Sequence, residues 1–110
     1  MSSARDDAIF RALADPTRRA ILDLLRRAPR TTGDVAGHFE MTRFGVMKHL
    51  AVLEEAGLLR VERKGRQRWN HLNPTPIQRV WRRWVRPFEA SAADELLGLE
   101  RAVTRRKARR

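Results

Sequence analysis

The sequence predicts a mostly α-helical chain with one small β-hairpin. Three observations carry that reading. Apolar residues recur at helical spacing from Ile9 to Leu53 and again from Ile77 onward, the period shortens toward two between Leu58 and Leu72, and Lys64-Gly65 offers a tight turn within that stretch. The expected order is four helices, two strands and two helices, in a single domain over residues 1–110.

Each element has its own signal. Ser3 followed by Asp6 has the spacing of a capping box, with Ile9, Phe10 and Leu13 on one face behind it. Asp15-Pro16 restarts a helix, with Asp15 as N-cap and Pro16 at the first helical position, where a missing N–H costs nothing. Ile21, Leu22, Leu24, Leu25 and Ala28 give this second helix its apolar side, and Pro29 closes it. Thr31 and Asp34 form another possible capping box, before a short third helix with Val35, Ala36 and Phe39. Glu40-Met41 makes the turn and Thr42 caps the fourth helix, where Val46, Leu50 and Leu53 face the core at i, i+4 and i+7. Gly57 suits the left-handed position just past its end.

The expected strands are Leu58–Arg63 and Arg66–Leu72. Thr75-Pro76-Ile77-Gln78 then combines a Thr cap, a first-position proline and a Gln three residues after the cap. The fifth helix carries Ile77, Val80, Trp81, Trp84, Val85 and Phe88 in an apolar stripe, with Pro87 expected to end or kink it. Ser91 with Asp94 starts a last helix bearing Leu96, Leu97, Leu99 and Val103, and the basic run 105–110 is expected to fray.

Composition narrows the function. Lys and Arg number 24 against 13 Asp and Glu, a formal net charge of +11, while 42% hydrophobic residues suffice for a small core. So basic a small domain points to polyanions, nucleic acid first, although an Arg-biased composition would give the same total. The absence of cysteine excludes a disulfide scaffold, a thiolate zinc site and a cysteine nucleophile together. There is no tyrosine, and the three histidines, His38, His49 and His71, are scattered, so no nucleophile–base constellation appears and no enzymatic activity is expected. Asp94 and Glu95 fall in the first turn of a helix, where the helix dipole favours negative charge, so they read as capping residues. No apolar run approaches the roughly 20 residues of a membrane span. The stretch Met1 to Asp7 lacks the pattern of a secretory signal, leaving the cytoplasm as the expected compartment.

Two helices joined by a tight turn, followed by a hairpin with a basic tip, form the pattern of a winged helix-turn-helix. The third helix would cross the DNA backbone and the fourth would enter the major groove, which is wide enough for one helix. With Val46, Leu50 and Leu53 inward, Phe44, Lys48 and Ala51 point outward, flanked by Arg43 and Met47. Thr42 and the first turn present free N–H groups to phosphate, and Gly45 would let the backbone approach DNA. Phe44 could equally pack on the third helix. His49 reads as a phosphate or structural hydrogen-bonding residue and His71 as a strand residue. Arg63, Lys64, Arg66, Gln67 and Arg68 surround the hairpin turn and fit a wing against phosphates or the minor groove.

The run from Leu13 to Leu72 resembles ArsR/SmtB-type repressors. The resemblance rests on Leu13 to Leu22 (LADPTRRAIL), Thr42 to Leu50 (TRFGVMKHL), Val52 to Leu59 (VLEEAGLL) and the wing Lys64 to Trp69 (KGRQRW). It implies a homodimeric transcriptional regulator, usually an autorepressor, on an inverted-repeat operator in double-stranded DNA. It implies operator contacts at Arg43, Phe44, Met47 and Lys48. For the two apolar positions a thymine methyl is the matching partner. It also implies that the first and last helices form the dimer contact, which nominates Ile9, Phe10, Leu13, Ile77, Val80, Trp81, Trp84, Val85, Phe88, Leu96 and Leu97, with 75–104 as the dimerising segment.

The sequence departs from the family's metal sites. The thiolate motif Cys-x-Cys-Asp-Leu is replaced by Thr31-Thr32-Gly33-Asp34-Val35, whose side chains do not suit a soft or borderline metal. The fifth helix has no His and no carboxylate between Ile77 and Phe88. A member of the metal-independent branch is therefore expected, with no metal and no cofactor. Two other readings stay open: a repressor responding to a metal or small molecule at an unrecognised site, and a protein-interaction module using the Trp stripe.

Overall fold

The computed structural model describes residues 3–89 and 95–98. Five α-helices and three strands follow in the order α1 (Ser3–Leu13), α2 (Pro16–Arg27), β1 (Arg30–Thr31), α3 (Thr32–His38), α4 (Arg43–Glu55), β2 (Leu59–Lys64), β3 (Gln67–Leu72) and α5 (Thr75–Val80). A π-helical turn, Trp81–Val85, continues α5. Residues 86–89 and 95–98 are helical as well. The chain falls into two compact units, Met1–Gln78 and Arg79–Arg110.

The first unit is held by helix caps and an apolar core. Ile9, Ala12, Ile21, Leu24, Leu25, Val35, Val46, Leu50, Leu53 and Leu58 are buried, and α1, α2 and α4 pack on one another around them. In α1 the buried positions are Asp6, Ile9 and Ala12. Phe10, expected on that face, is 44% exposed. The spacing Asp6, Ile9 sets the carboxylate on the inward face of α1.

Asp15 caps α2 as expected, its Oδ2 accepting from the Arg18 N–H at 3.0 Å. Two arginines of the same turn have a second use. Arg18 donates through Nε to Ala12 O at 2.9 Å and through Nη2 to Arg11 O at 2.8 Å. Arg19 Nη1 donates to Leu13 O at 2.7 Å. These bonds satisfy carbonyls in the last turn of α1, where Arg11 O also accepts from Ala14 N–H at 3.3 Å. Two of the chain's cations are thereby engaged in structure.

Thr31 Oγ1 caps α3, accepting from Asp34 N–H at 3.1 Å. The turn into α4 passes through Glu40 at φ 53°, a left-handed backbone for a residue with a Cβ. Met41 N–H reaches back to Ala36 O at 3.0 Å. Thr42 Oγ1 caps α4 by accepting from Gly45 N–H at 3.1 Å. The far end closes with Gly57 at φ 77°, Gly57 N–H on Glu54 O and Leu58 N–H on Leu53 O, both at 2.9 Å. That pair of bonds is the Schellman closure that the glycine predicted.

The sheet is antiparallel in the order β1-β3-β2. The two-residue strand β1 was not expected; it pairs Arg30 with Asn70 and Thr31 with Trp69. Asn70 is fully buried, and its Nδ2 donates to Arg30 O and Thr32 Oγ1, each at 3.2 Å, tying the start of α3 to β3. The hairpin turn is Gly65-Arg66, one residue later than expected, because Lys64 pairs with Gln67. Gly65 has φ 62° and Arg66 does not have positive φ, the pattern of a type II′ hairpin turn.

α5 starts at Thr75 itself, with the Thr75 N–H met by Asn73 Oδ1 at 3.3 Å, so Thr75 is within the helix instead of capping it. In the second unit Pro87 neither ends the helix nor stands alone as a kink: the π turn lies just before it, with Arg86 N–H on Trp81 O. Proline cannot donate to the carbonyl four residues back and crowds it, and a widened turn relieves that clash. Val80 is buried, while Trp81, Trp84, Val85, Phe88, Leu96 and Leu97 are exposed. Ser91, Asp94, Leu99, Val103 and 105–110 lie outside the described residues.

Candidate nucleic-acid interface

The fourth helix presents an open edge because its core positions leave one. Val46, Leu50 and Leu53 are buried, which turns Arg43, Phe44, Met47, Lys48 and Ala51 to solvent. Phe44 is 70% exposed, so it does not pack on α3. The Lys48 ammonium lies 4.6 Å from the centre of its ring, a cation–π pair that holds both side chains on the helix surface. Thr42 and Gly45 are joined in the cap, and a Cβ at position 45 would meet Thr42 Oγ1 at 3.3 Å.

The hairpin brings a second set of cations to this edge. A groove of about 240 Å³ runs between the start of α3, α4 and the wing. Arg43 and Met47 line it from α4, Arg63, Arg66, Gln67 and Arg68 from the hairpin, and Thr31, Thr32 and Gly33 from the β1–α3 junction. The Arg43 guanidinium lies over Gly33, where a Cβ would sit 3.0 Å from Nη2. The sequence marked Thr32 and Gly33 as standing at the family's thiolate motif, not as neighbours of the wing. Only the β1 pairing, two residues long and without a detectable period, sets them beside the wing.

The wing cations are not equivalent. Arg63 and Arg66 are exposed and form no ion pair among the described residues. Lys64 lies 4.0 Å from Glu62 Oε1 and 5.7 Å from the centre of the Trp69 ring. Arg68 is bound through Nη2 to Glu54 and is only 25% exposed, so it braces the hairpin against α4. It lines the groove with its charge already paired to Glu54. His49 also turns away from the open edge: it is half-buried, with Nδ1 3.8 Å from Asp15 Oδ2. Of its two expected roles, this position fits the structural one. The backbone N–H of Arg18 first of all, and then the charges of Arg18 and His49, hold the Asp15 carboxyl below its usual pKa against the opposing effect of desolvation.

Among the expected dimer residues, Ile9 and Val80 are buried, and a buried side chain offers no surface to a partner. Leu13 and Ile77 are half-buried, and Phe10, Trp81, Trp84, Val85, Phe88, Leu96 and Leu97 are exposed. In the second unit the guanidinium of Arg83 lies 4.6 Å from the Trp84 ring centre.

The residues at the family's metal positions do not suit a metal. Thr31 Oγ1 is engaged as the α3 cap, and Gly33 has no side chain. His38 stacks edge-on against Phe39, His49 faces Asp15, and His71 Nε2 lies 3.2 Å from Glu62 Oε2. No group of three or more His, Asp or Glu that could hold a metal ion occurs among the described residues.

A short helix and a capped, open-edged helix joined by a tight turn, with a basic hairpin beside them, make a winged helix-turn-helix module. Comparison with known proteins agrees. Residues 13–62 match a family described as a helix-turn-helix domain. Over 70 residues the chain is 41% identical to the transcriptional repressor SdpR of Bacillus subtilis, a match spanning 64% of this chain and 78% of that protein. Over 94 residues it is 35% identical to the HTH-type transcriptional regulator CmtR of Mycobacterium tuberculosis, spanning 86% of this chain and 80% of the other. A crystal structure of an ArsR family transcriptional regulator superposes with a TM-score of 0.68 at 35% identity, covering 91% of this chain and 95% of that one. The chain belongs to the ArsR family of winged helix-turn-helix transcriptional regulators.

Proposed function

We propose that the protein is a homodimeric repressor that binds an inverted-repeat operator in double-stranded DNA upstream of its own gene. The observation that carries this reading is the exposed edge of α4, with Phe44, Met47 and Lys48 beside a groove lined by Arg43, Arg63 and Arg66. An α-helix with such an edge fits the major groove, and the free wing guanidiniums fit phosphate or the minor groove. In this division of labour α4 supplies sequence preference and the wing supplies affinity. The protein acts by binding, without catalysis, metal or cofactor, in the cytoplasm.

Dimerisation is supported by the apolar side chains left open in each unit, Phe10 in one and Trp81, Trp84 and Phe88 in the other. Single exposed apolar residues need no explanation, but this many large ones on so short a chain favour a covering partner. One fold neighbour, from Mycobacterium bovis, is described as a homodimeric winged helix-turn-helix DNA-binding domain. Two-fold symmetry would set the two α4 helices about 34 Å apart, one turn of DNA.

The test is fluorescence anisotropy with the gene's own upstream duplex and a scrambled duplex at several salt concentrations. The expected result is tight binding to the native duplex, weak binding to the scramble and two protomers per operator. Equal, salt-sensitive binding to both duplexes would contradict an operator in that segment.

A further inference from the structure

A second concavity lies within the first unit, away from the groove between α4 and the wing. It is an open cleft of about 690 Å³ between the C-terminal half of α2, the end of β3 and the start of α5. That volume falls in the range of small-molecule sites. Its apolar walls are Leu22, Leu25, Leu72 and Ile77. Strand alternation sets Arg60 and His71, which are cross-strand partners at this cleft, on the hairpin face opposite the Arg63 and Arg68 pair of the other groove.

The rim is cationic. Among the described residues Asp23 is the only carboxylate lining the cleft, and it lies 4.0 Å from Arg26. Arg27 and Arg60 line the same cleft and form no ion pair among the described residues. Apolar walls under two uncommitted guanidiniums match one kind of occupant: an apolar body ending in a single planar anion. Inorganic phosphate would leave the walls unused.

We propose that this cleft is a binding site for an amphipathic organic carboxylate, a medium-chain or aryl acid, with Arg27 and Arg60 holding the carboxylate. The site is independent of the DNA-binding reading, and its test uses no DNA.

The experiment is isothermal titration of the full chain with sodium octanoate at near-physiological salt, compared with acetate, octanol and octylammonium. Octanoate is expected to bind once per chain and the three controls to bind at least tenfold more weakly. The double variant Arg27→Gln, Arg60→Gln should weaken octanoate by roughly tenfold or more, the loss of charge-assisted hydrogen bonds. Arg63→Gln with Arg66→Gln removes the same charge from the other groove and should leave octanoate binding unchanged. Ala28→Trp, at the exposed α2 C-cap that lines the cleft, should abolish binding while circular dichroism is retained. Equal binding of octanol or octylammonium would overturn the proposal, as would equal weakening by the wing double variant. So would a change of oligomeric state in Ala28→Trp without octanoate binding to the parent, since the cleft would then be a protein interface.

Discussion

Replacing Arg66 by Ala should flatten the fall of DNA binding with salt. Arg66 sits in the two-residue turn between β2 and β3, exposed and without an ion pair among the described residues, so its guanidinium is free to displace a counterion from one phosphate. Each phosphate neutralised contributes about 0.9 to the slope of log K against log salt. A dimer carries two copies, so the slope should fall by about 1.8 on one operator. Between about 50 and about 200 mM salt, that difference shrinks the variant's affinity deficit by about twelvefold. The assay is anisotropy on one operator duplex across a salt series. Arg68→Ala is the internal control, because its guanidinium is already bound to Glu54. Its slope should be preserved, while stability drops by at most about 1 kcal/mol, the range for a partly exposed pair. An unchanged slope for Arg66→Ala, or an equal fall for Arg68→Ala, would refute the assignment of free and engaged cations.

Three further outcomes follow from the packing and the caps. Leu50→Ala, at a fully buried position of α4, should cost about 2–5 kcal/mol in urea denaturation, whereas Phe44→Ala on the open edge should stay within about 0.5 kcal/mol. Thr42→Ala removes the oxygen that accepts from Gly45 N–H and should cost about 1 kcal/mol; a neutral result would show that the cap contributes nothing to α4. Asp15→Asn tests a titration: the Arg18 N–H holds the carboxyl below its usual pKa, so its contribution is present above the unfolded-state value and lost as pH falls through the folded one. Asn caps without titrating, so the stability gap between parent and variant should be flat near neutral pH and shrink in acid. A gap that widens on acidification would reverse the sign.

Most of the fold was legible because the signals were local. Asp15-Pro16, Thr31, Thr42 and Gly57 are caps whose chemistry acts within one turn, and all four formed where their residue types require. The clearest miss was non-local. β1 exists only because β3 pairs with it, and two residues carry no period. The π turn before Pro87 is a backbone adjustment within an unbroken apolar stripe. In the site, sequence named the basic residues but could not apportion them: Arg18 and Arg19 cap α1, and Arg68 is held by Glu54, 14 residues away. His49 was assigned to the recognition helix by position, and only the packing of α4 against α2 turned it to Asp15. Phe10 shows the reverse effect, an apolar residue at helical spacing that the protomer leaves exposed.

The central claim is that α4 reads sequence while the wing supplies affinity. The most direct measurement is the binding of Lys48→Ala and Arg66→Ala to a panel of duplexes carrying every single base-pair change in one operator half-site. The account predicts that Lys48→Ala reorders the preference at one or two positions, and that Arg66→Ala weakens every duplex by the same factor. Uniform weakening by Lys48→Ala, with an unchanged order of preference, would contradict it.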